Sequence, residues 1–167
     1  LIDLKTRPLR QILESNNIKY AVSVPCTILA SYYDFHDSDK LENIIVTREE
    51  EGIGIISGLS IANEKAIIMM QNSGLGNCLN SLASLSISYK IGFVILVSLR
   101  GDDTFETNPV QNVIGSATRN IIDSLGCKFF EISSISQLEN TFREALDLVA
   151  CYNEPVFILL PRKEMLK

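Results

Sequence analysis

The chain has one histidine, His36, no tryptophan, and four cysteines, Cys26, Cys78, Cys127 and Cys151, none of them in a CxxC pair. A zinc site needs clustered Cys and His ligands, so this pattern excludes one, and no metal ligand is assigned. Widely spaced thiols among apolar neighbours read instead as reduced and mostly buried, the state expected in the cytoplasm. Cys26, beside Pro25 in a turn, stands apart from the others. Long apolar runs are also lacking. The longest, Ile91 to Leu99, is of strand length and includes Gly92 and Ser98, against the ~20 residues that a membrane-spanning helix needs. No signal peptide is read at the start, and with no Met before Met69, Leu1 reads as a trimmed start. Basic residues are scattered, 15 Lys and Arg against 20 Asp and Glu, for a net charge of −5. A nucleic-acid partner would need a basic face, so that class is set aside.

What is present is ordinary for one globular domain. The 167 residues are 46% hydrophobic and 21% charged, enough for a real core and too apolar for disorder. Helical periodicity covers Asp3 to Asn16 and Ser136 to Tyr152. Short β-rich runs lie at Ile18 to Val24, Ile44 to Val46, Lys65 to Met70, Ile91 to Leu99, Cys127 to Ile132 and Pro155 to Leu160. Between them the pattern predicts helices from Ile28 to about Phe35 (capped by Thr27), from Glu49 to about Asn63, to about Tyr89, and from Pro109 to near Gly126. Strands alternating with helices imply an α/β fold, a three-layer α/β/α arrangement around a mainly parallel six-stranded sheet, as one domain over residues 1–167. Ligands of such sheets bind beyond the carboxyl ends of the strands. The turns Pro25-Cys26-Thr27, Thr47-Arg48-Glu49, Gln71 to Asn77 and Arg100 to Asn108 are therefore expected to share one rim.

Two of these turns carry the chemistry. Thr47 with Glu50 three residues on is a capping-box pattern, with Thr47 as the N-cap, and Glu50 and Glu51 read most simply as helix-start acids. Glu49 sits at the strand-to-helix turn, and Gly52, Gly54 and Gly58 follow it, each costing a helix about 1 kcal/mol relative to Ala. A helix that tolerates this usually needs something close to its backbone. The glycine-rich stretch Gln71-Asn72-Ser73-Gly74-Leu75-Gly76-Asn77 lacks the Lys-Ser/Thr end of a Walker loop and the third glycine of a dinucleotide fingerprint, since Leu79 falls there. His36 lies in a polar loop and reads as a solvated surface residue.

Taken together, Ser23-Val24-Pro25-Cys26-Thr27, Thr47 to Gly52, Met70 to Asn77, Arg100-Gly101, Gly115 with Thr118, and Leu125-Gly126 resemble the pyrimidine-binding (PYR) domain of thiamin-diphosphate-dependent 2-oxoacid decarboxylases. Within that family the VPC and QNSGLGN stretches look most like the sulfopyruvate decarboxylase α subunit branch, with phosphonopyruvate decarboxylase close behind. The resemblance implies a Glu at the helix start with small residues three and nine positions later. Glu49, with Gly52 and Gly58, meets that pattern, whereas Glu50 and Glu51 do not.

It also implies roles. The catalytic Glu49 would donate a hydrogen bond to a pyrimidine nitrogen of the cofactor, and Pro25, Cys26, Asn72, Ser73 and Gly74 would line the cofactor with it. Such a carboxyl must be partly protonated near neutrality, which burial against apolar residues such as Ile53 and a partner subunit favours. Thr27, Arg100 and Asn77 are the candidate substrate contacts. Arg100 could meet a sulfonate or phosphonate with its donor fork, or form a surface salt bridge with Asp102 or Asp103. Asn72, Ser73 and Asn77 could equally satisfy loop backbone groups.

The family's diphosphate domain carries a Gly-Asp-Gly followed by paired Asn that holds magnesium. Here Gly101-Asp102-Asp103 has no second glycine and no Asn pair after it, and Asn16-Asn17 lies before it. A β subunit or domain carrying Mg2+ and the diphosphate site is therefore the expected partner, in a hetero-oligomer with PYR–PYR self-association. The expected substrate is a small anionic 2-oxoacid, 3-sulfopyruvate in coenzyme M biosynthesis, with phosphonopyruvate as the alternative. The other class is a non-catalytic subunit completing another chain's site, against which Glu49 argues.

Overall fold

Successive strand residues point to opposite faces, and here both faces are apolar. The computed structural model describes residues 9–26, 28–29, 40–101, 106 and 108–161. Its strands are β1 Tyr20–Ser23, β2 Glu42–Ile45, β3 Ala66–Gln71, β4 Val94–Leu99, β5 Lys128–Glu131 and β6 Val156–Pro161. They form one sheet in the order β2-β1-β3-β4-β6-β5, and every pairing is parallel. The helices are α1 Leu9–Ser15, α2 Glu49–Ile61, α3 Asn72–Ser81, α4 Asn112–Ser124 and α5 Leu138–Tyr152.

The parity of the strand residues sorts the core into two halves. Ala21, Ile67, Met69, Val94, Leu96, Ile158 and their neighbours pack against Leu9, Ile12 and Leu13 of α1 and Leu138, Phe142 and Ala145 of α5. Val22, Ile68, Met70, Ile95, Val97, Phe157 and Leu159 pack instead against α2, α3 and α4 through Ile53, Ile56, Leu75, Cys78 and Ile122. The expected three layers follow directly. All six residues of β4 are buried, which is why that strand reads as unbroken apolar sequence. Each large aliphatic there contributes on the order of 1.5–3 kcal/mol.

Three helix ends, those of α1, α2 and α5, are set by asparagine. Asn17, Asn63 and Asn153 adopt left-handed φ of 59°, 59° and 53°, a conformation Asn tolerates better than most residues. Near the end of α2, Glu64 N–H closes on the Leu59 carbonyl at 2.9 Å.

Two expectations are corrected. First, the N-cap of α2 is Arg48, in extended conformation and without a side-chain cap. Thr47 stands one residue outside the helix, where its amide and hydroxyl both donate to Glu51 Oε2 at 3.3 Å. The box therefore closes with Glu51, and Glu50 pairs with Arg48 at 3.3 Å. Second, Gln71 to Asn77 is no turn: β3 passes straight into α3 at Asn72, so Gly74 and Gly76 are helical. The helix expected to about Tyr89 is found as α3 continued by a π-helical segment, Leu82–Ile87, where the buried Ser57 and Ser86 hydroxyls bond at 3.1 Å. The helix expected beyond Leu29, Thr27 and His36 lie outside the described residues.

Candidate functional site

At the carboxyl end of the sheet, the segments leaving β1, β2, β3 and β4 converge as expected. Gly52 explains how α2 reaches its place there. A Cβ on Gly52 would sit 2.8 Å from Ile68 Cδ1 and 3.3 Å from Val46 Cγ2, so only glycine lets this helix lie close on the sheet. The sheet, not a ligand, approaches Gly52. Gly54 and Gly58 differ, since a Cβ on either would meet nothing within 4 Å.

Glu49, the first residue of α2, is half-buried and reaches sideways onto α3. A Cβ on Gly74 would lie 2.4 Å from Glu49 Cγ, Cδ and Oε1, so the glycine is required by the carboxylate resting on it. Asn77 Nδ2, one turn further along α3, donates to Glu49 Oε2 at 3.0 Å. Oε1 has no hydrogen bond among the described residues. The buried Cys78 thiol is pushed up to about 12, first by burial and then by the Glu49 and Glu50 carboxylates.

A second cluster lies across the ends of β1, β3 and β4. The buried Cys26 Sγ is 3.4 Å from the buried Ser98 Oγ and donates to Gln71 Oε1 at 3.7 Å. Gln71 Nε2 in turn donates to Ser73 Oγ at 2.7 Å and to Gln111 Oε1 at 3.3 Å. Gln111 ends the 3-10 turn Pro109–Gln111, which Pro109 opens and the Asn108 side chain caps. It is wedged in place by glycine: Gly101 has φ +77°, and a Cβ there would lie 1.8 Å from the Gln111 carbonyl oxygen.

The third cluster holds the segment after β4. Asn72 is fully buried. Its Oδ1 accepts from Arg100 N at 3.2 Å, and its Nδ2 donates to the Arg100 carbonyl at 2.9 Å and to Thr118 Oγ1 at 3.0 Å. Gly115 lets α4 sit against that same backbone, since its Cβ would meet the Arg100 and Gly101 carbonyl groups. The Arg100 guanidinium forks onto Glu106, Nε to Oε2 at 3.0 Å and Nη2 to Oε1 at 3.1 Å. The Glu106 side chain is fully buried and that of Arg100 is 22% exposed. Arg100 thus pairs with Glu106; Asp102 and Asp103, the partners weighed from the sequence, lie outside the described residues.

Of the residues singled out in the sequence, Glu49, Gly74 and Asn77 come together directly, and Cys26 and Ser73 join through Gln71. Asn72 serves the Arg100 backbone, Pro25 is exposed on the rim, and Thr27 is outside the described residues. Sequence reasoning missed Gln71, Ser98, Glu106 and Gln111. The available signals were a serine inside an otherwise apolar strand (Ser98) and a proline-opened turn facing a strand-end glycine (Gln111).

Comparison with known proteins bears on this arrangement. No protein-family model matches the chain. It is 35% identical over 152 residues to sulfopyruvate decarboxylase subunit alpha of Methanococcus maripaludis, covering 90% of each chain. It is 36% identical over 149 residues to the subunit of the same name from Methanothermobacter thermautotrophicus, covering 89% of this chain and 90% of that one. Identity to phosphonopyruvate decarboxylase of Streptomyces viridochromogenes is 27% over 141 residues, 83% of this chain but 36% of that protein. In fold it matches a solved benzoylformate decarboxylase from Polynucleobacter necessarius with a TM-score of 0.70 at 19% identity, over 93% of this chain and 29% of that one. With two relatives above 30% identity over nearly their whole length, the chain belongs to the sulfopyruvate decarboxylase α-subunit family.

Proposed function

We propose that this chain is the pyrimidine-binding half of a thiamin-diphosphate-dependent decarboxylase that converts 3-sulfopyruvate to sulfoacetaldehyde and CO2, in coenzyme M biosynthesis. Glu49 carries the reading. Its carboxyl rests on a glycine face and is oriented by Asn77. Because Asn77 donates to Oε2, a proton on the carboxyl resides at Oε1, the oxygen with no other bond among the described residues. That oxygen can donate to a ring nitrogen of an aminopyrimidine. Asn77 thus orients the acid in this reading instead of meeting substrate. When bound, thiamin diphosphate supplies the electron sink that takes up the electron pair of the breaking carbon–carbon bond.

The residues fit the pyrimidine end of that cofactor. Glu49, seated on the Gly74 α-carbon and held by Asn77, presents to that end an Oε1 with no other hydrogen bond among the described residues. We assign magnesium and the diphosphate to a partner subunit or domain, with the cofactor between the two, because Gly101-Asp102-Asp103 has no second glycine and no Asn pair after it. Cys26, Ser73 and Gly74 lie on this chain's side of the site, with Pro25 at its margin. Asn72 and Arg100 shape the wall from behind, Asn72 by holding backbone and Arg100 by its pairing with Glu106. No described helix is long and apolar enough to cross a membrane.

Phosphonopyruvate is the second substrate considered, favoured by the Streptomyces relative. Mixing this chain with a subunit that carries the Gly-Asp-Gly…Asn-Asn half tests both. Cofactor- and magnesium-dependent CO2 release from sulfopyruvate is expected, with none from the chain alone. Release only from phosphonopyruvate, or robust activity without a partner, would overturn the proposal.

A further inference from the structure

We infer that Ser73 and Gln111 form a neutral, donor-only contact for the substrate's anionic tail, its polarity set by Gln71, and that this contact suits a singly charged sulfonate better than a phosphonate. The inference rests on the decarboxylase reading above and concerns the same rim.

The argument is one of hydrogen-bond direction. Gln71 has two amide hydrogens and a carbonyl oxygen. Its Nε2 faces two oxygens, Ser73 Oγ and Gln111 Oε1, and its Oε1 faces the Cys26 thiol. The reverse orientation would turn both amide hydrogens toward sulfur, a weak acceptor, and so the observed one is favoured. With Cys26 S–H given to Gln71, the remaining short contact is filled by Ser98, whose hydroxyl donates to the sulfur. The chain of donors therefore runs outward, from Ser98 to Cys26 to Gln71 and then to the rim.

Its consequence lies at the two ends. Ser73 Oγ accepts from Gln71, which frees its O–H to donate outward. Gln111 Oε1 likewise accepts from Gln71, which leaves both Nε2 hydrogens facing outward. Neither group has another hydrogen bond among the described residues. Both oxygens surround one nitrogen, so the two outward donors are neighbours. Ser73 also precedes Gly74, on which the Glu49 carboxylate rests.

Charge then decides between tails. Donors without net charge recognise oxyanion oxygens, yet supply no cation to offset a second negative charge. The guanidinium of Arg100 is matched by buried Glu106 and leaves no net positive charge there. A sulfonate carries one charge, whereas a phosphonate, like a phosphate ester, carries roughly −1.5 to −2 near pH 7. The wall contributed by this chain therefore favours the sulfonate.

Steady-state kinetics of the assembled two-subunit enzyme test this, with sulfopyruvate and phosphonopyruvate compared in each variant. Gln111→Ala should raise KM for sulfopyruvate about tenfold or more, as expected for losing a hydrogen bond to a charged group, with kcat within about threefold. Gln71→Glu touches no substrate, but it presents only acceptors to Ser73 and Gln111. Both must then donate inward, so KM should rise at least as far. Gln71→Met, which removes the directing amide without adding charge, should raise it less, and unchanged circular dichroism would separate these effects from misfolding. A wild-type assembly active on sulfopyruvate, with KM unchanged in Gln111→Ala and Gln71→Glu, would overturn this inference and leave the decarboxylase reading standing. Absence of any sulfopyruvate decarboxylation by the wild-type assembly would overturn both.

Discussion

The carboxylate of Glu49 rests on the α-carbon of Gly74, so closely that a Cβ there would lie 2.4 Å from three of its atoms. Two helices from different strands are thereby matched at a single residue pair. Gly74→Ala should push Glu49 off its position and lower the assembled enzyme's kcat by about a hundredfold or more, within the range that a positioned acid contributes. Gly76→Ala is the control. Its Cβ meets nothing within 4 Å, and it should leave stability unchanged or raise it by about 0.5–1 kcal/mol through helix propensity.

Asn72 holds both backbone groups of Arg100. Asn72→Ala leaves the half-buried Arg100 N–H and carbonyl without these partners, at about 1–3 kcal/mol each. Thermal unfolding of the chain should therefore start several degrees lower, with Tm falling by roughly 6–12 °C. A Tm unchanged within 1–2 °C would show that the bracket is not needed.

Arg100 was a candidate for the substrate anion, but its fork is taken by Glu106, whose side chain is fully buried. Removing one member of a buried pair costs about 3–5 kcal/mol. Glu106→Gln and Arg100→Met should each lower the urea midpoint. A variant of Arg100 with unaltered stability and a raised KM would instead return it to the substrate.

The alternation of strands and helices was legible because the central strands are buried on both faces and read as apolar runs. Glu49 was singled out by the small residues after it, whose physical reasons differ: Gly52 is pressed by Ile68, while Gly58 faces open space. The stretch from Gln71 to Asn77 misled. Glycine is usually a turn signal, but Gly74 is glycine for a contact with a residue 25 positions earlier in the chain, which no local pattern encodes. Arg48 replaced Thr47 as the N-cap for a related reason, since Glu51 reached back to Thr47 from one residue further into the helix. Glu106 lies in a polar loop without periodicity and Gln111 in the short 3-10 turn after it, so only the folded contacts single them out.

The thiols give a test that needs no partner. Burial, then Glu49 and Glu50, push Cys78 up to about 12, and burial, then Glu154, push Cys127 up to about 11. Cys151 is exposed. Alkylation at pH 8 followed by peptide mass spectrometry should label Cys151 first and spare Cys78 and Cys127 until the chain unfolds. The same shifts set a sign for stability. The unfolded chain loses these protons from about pH 9, before the folded one does, so the contribution is intact below pH 9 and declines as pH rises toward 11–12. Urea midpoints that rose above pH 9 would contradict this.

The central claim is that Glu49, and not its chemically identical neighbours, supplies the proton relay to the cofactor. Hydrogen–deuterium exchange at the thiazolium C2 of thiamin diphosphate, followed by NMR in the assembled enzyme, measures that relay apart from substrate binding. Glu49→Gln should slow the exchange by about a hundredfold or more, while Glu50→Gln, an exposed residue paired with Arg48, should exchange at the wild-type rate. Wild-type exchange in Glu49→Gln, or an equal loss in Glu50→Gln, would contradict the account.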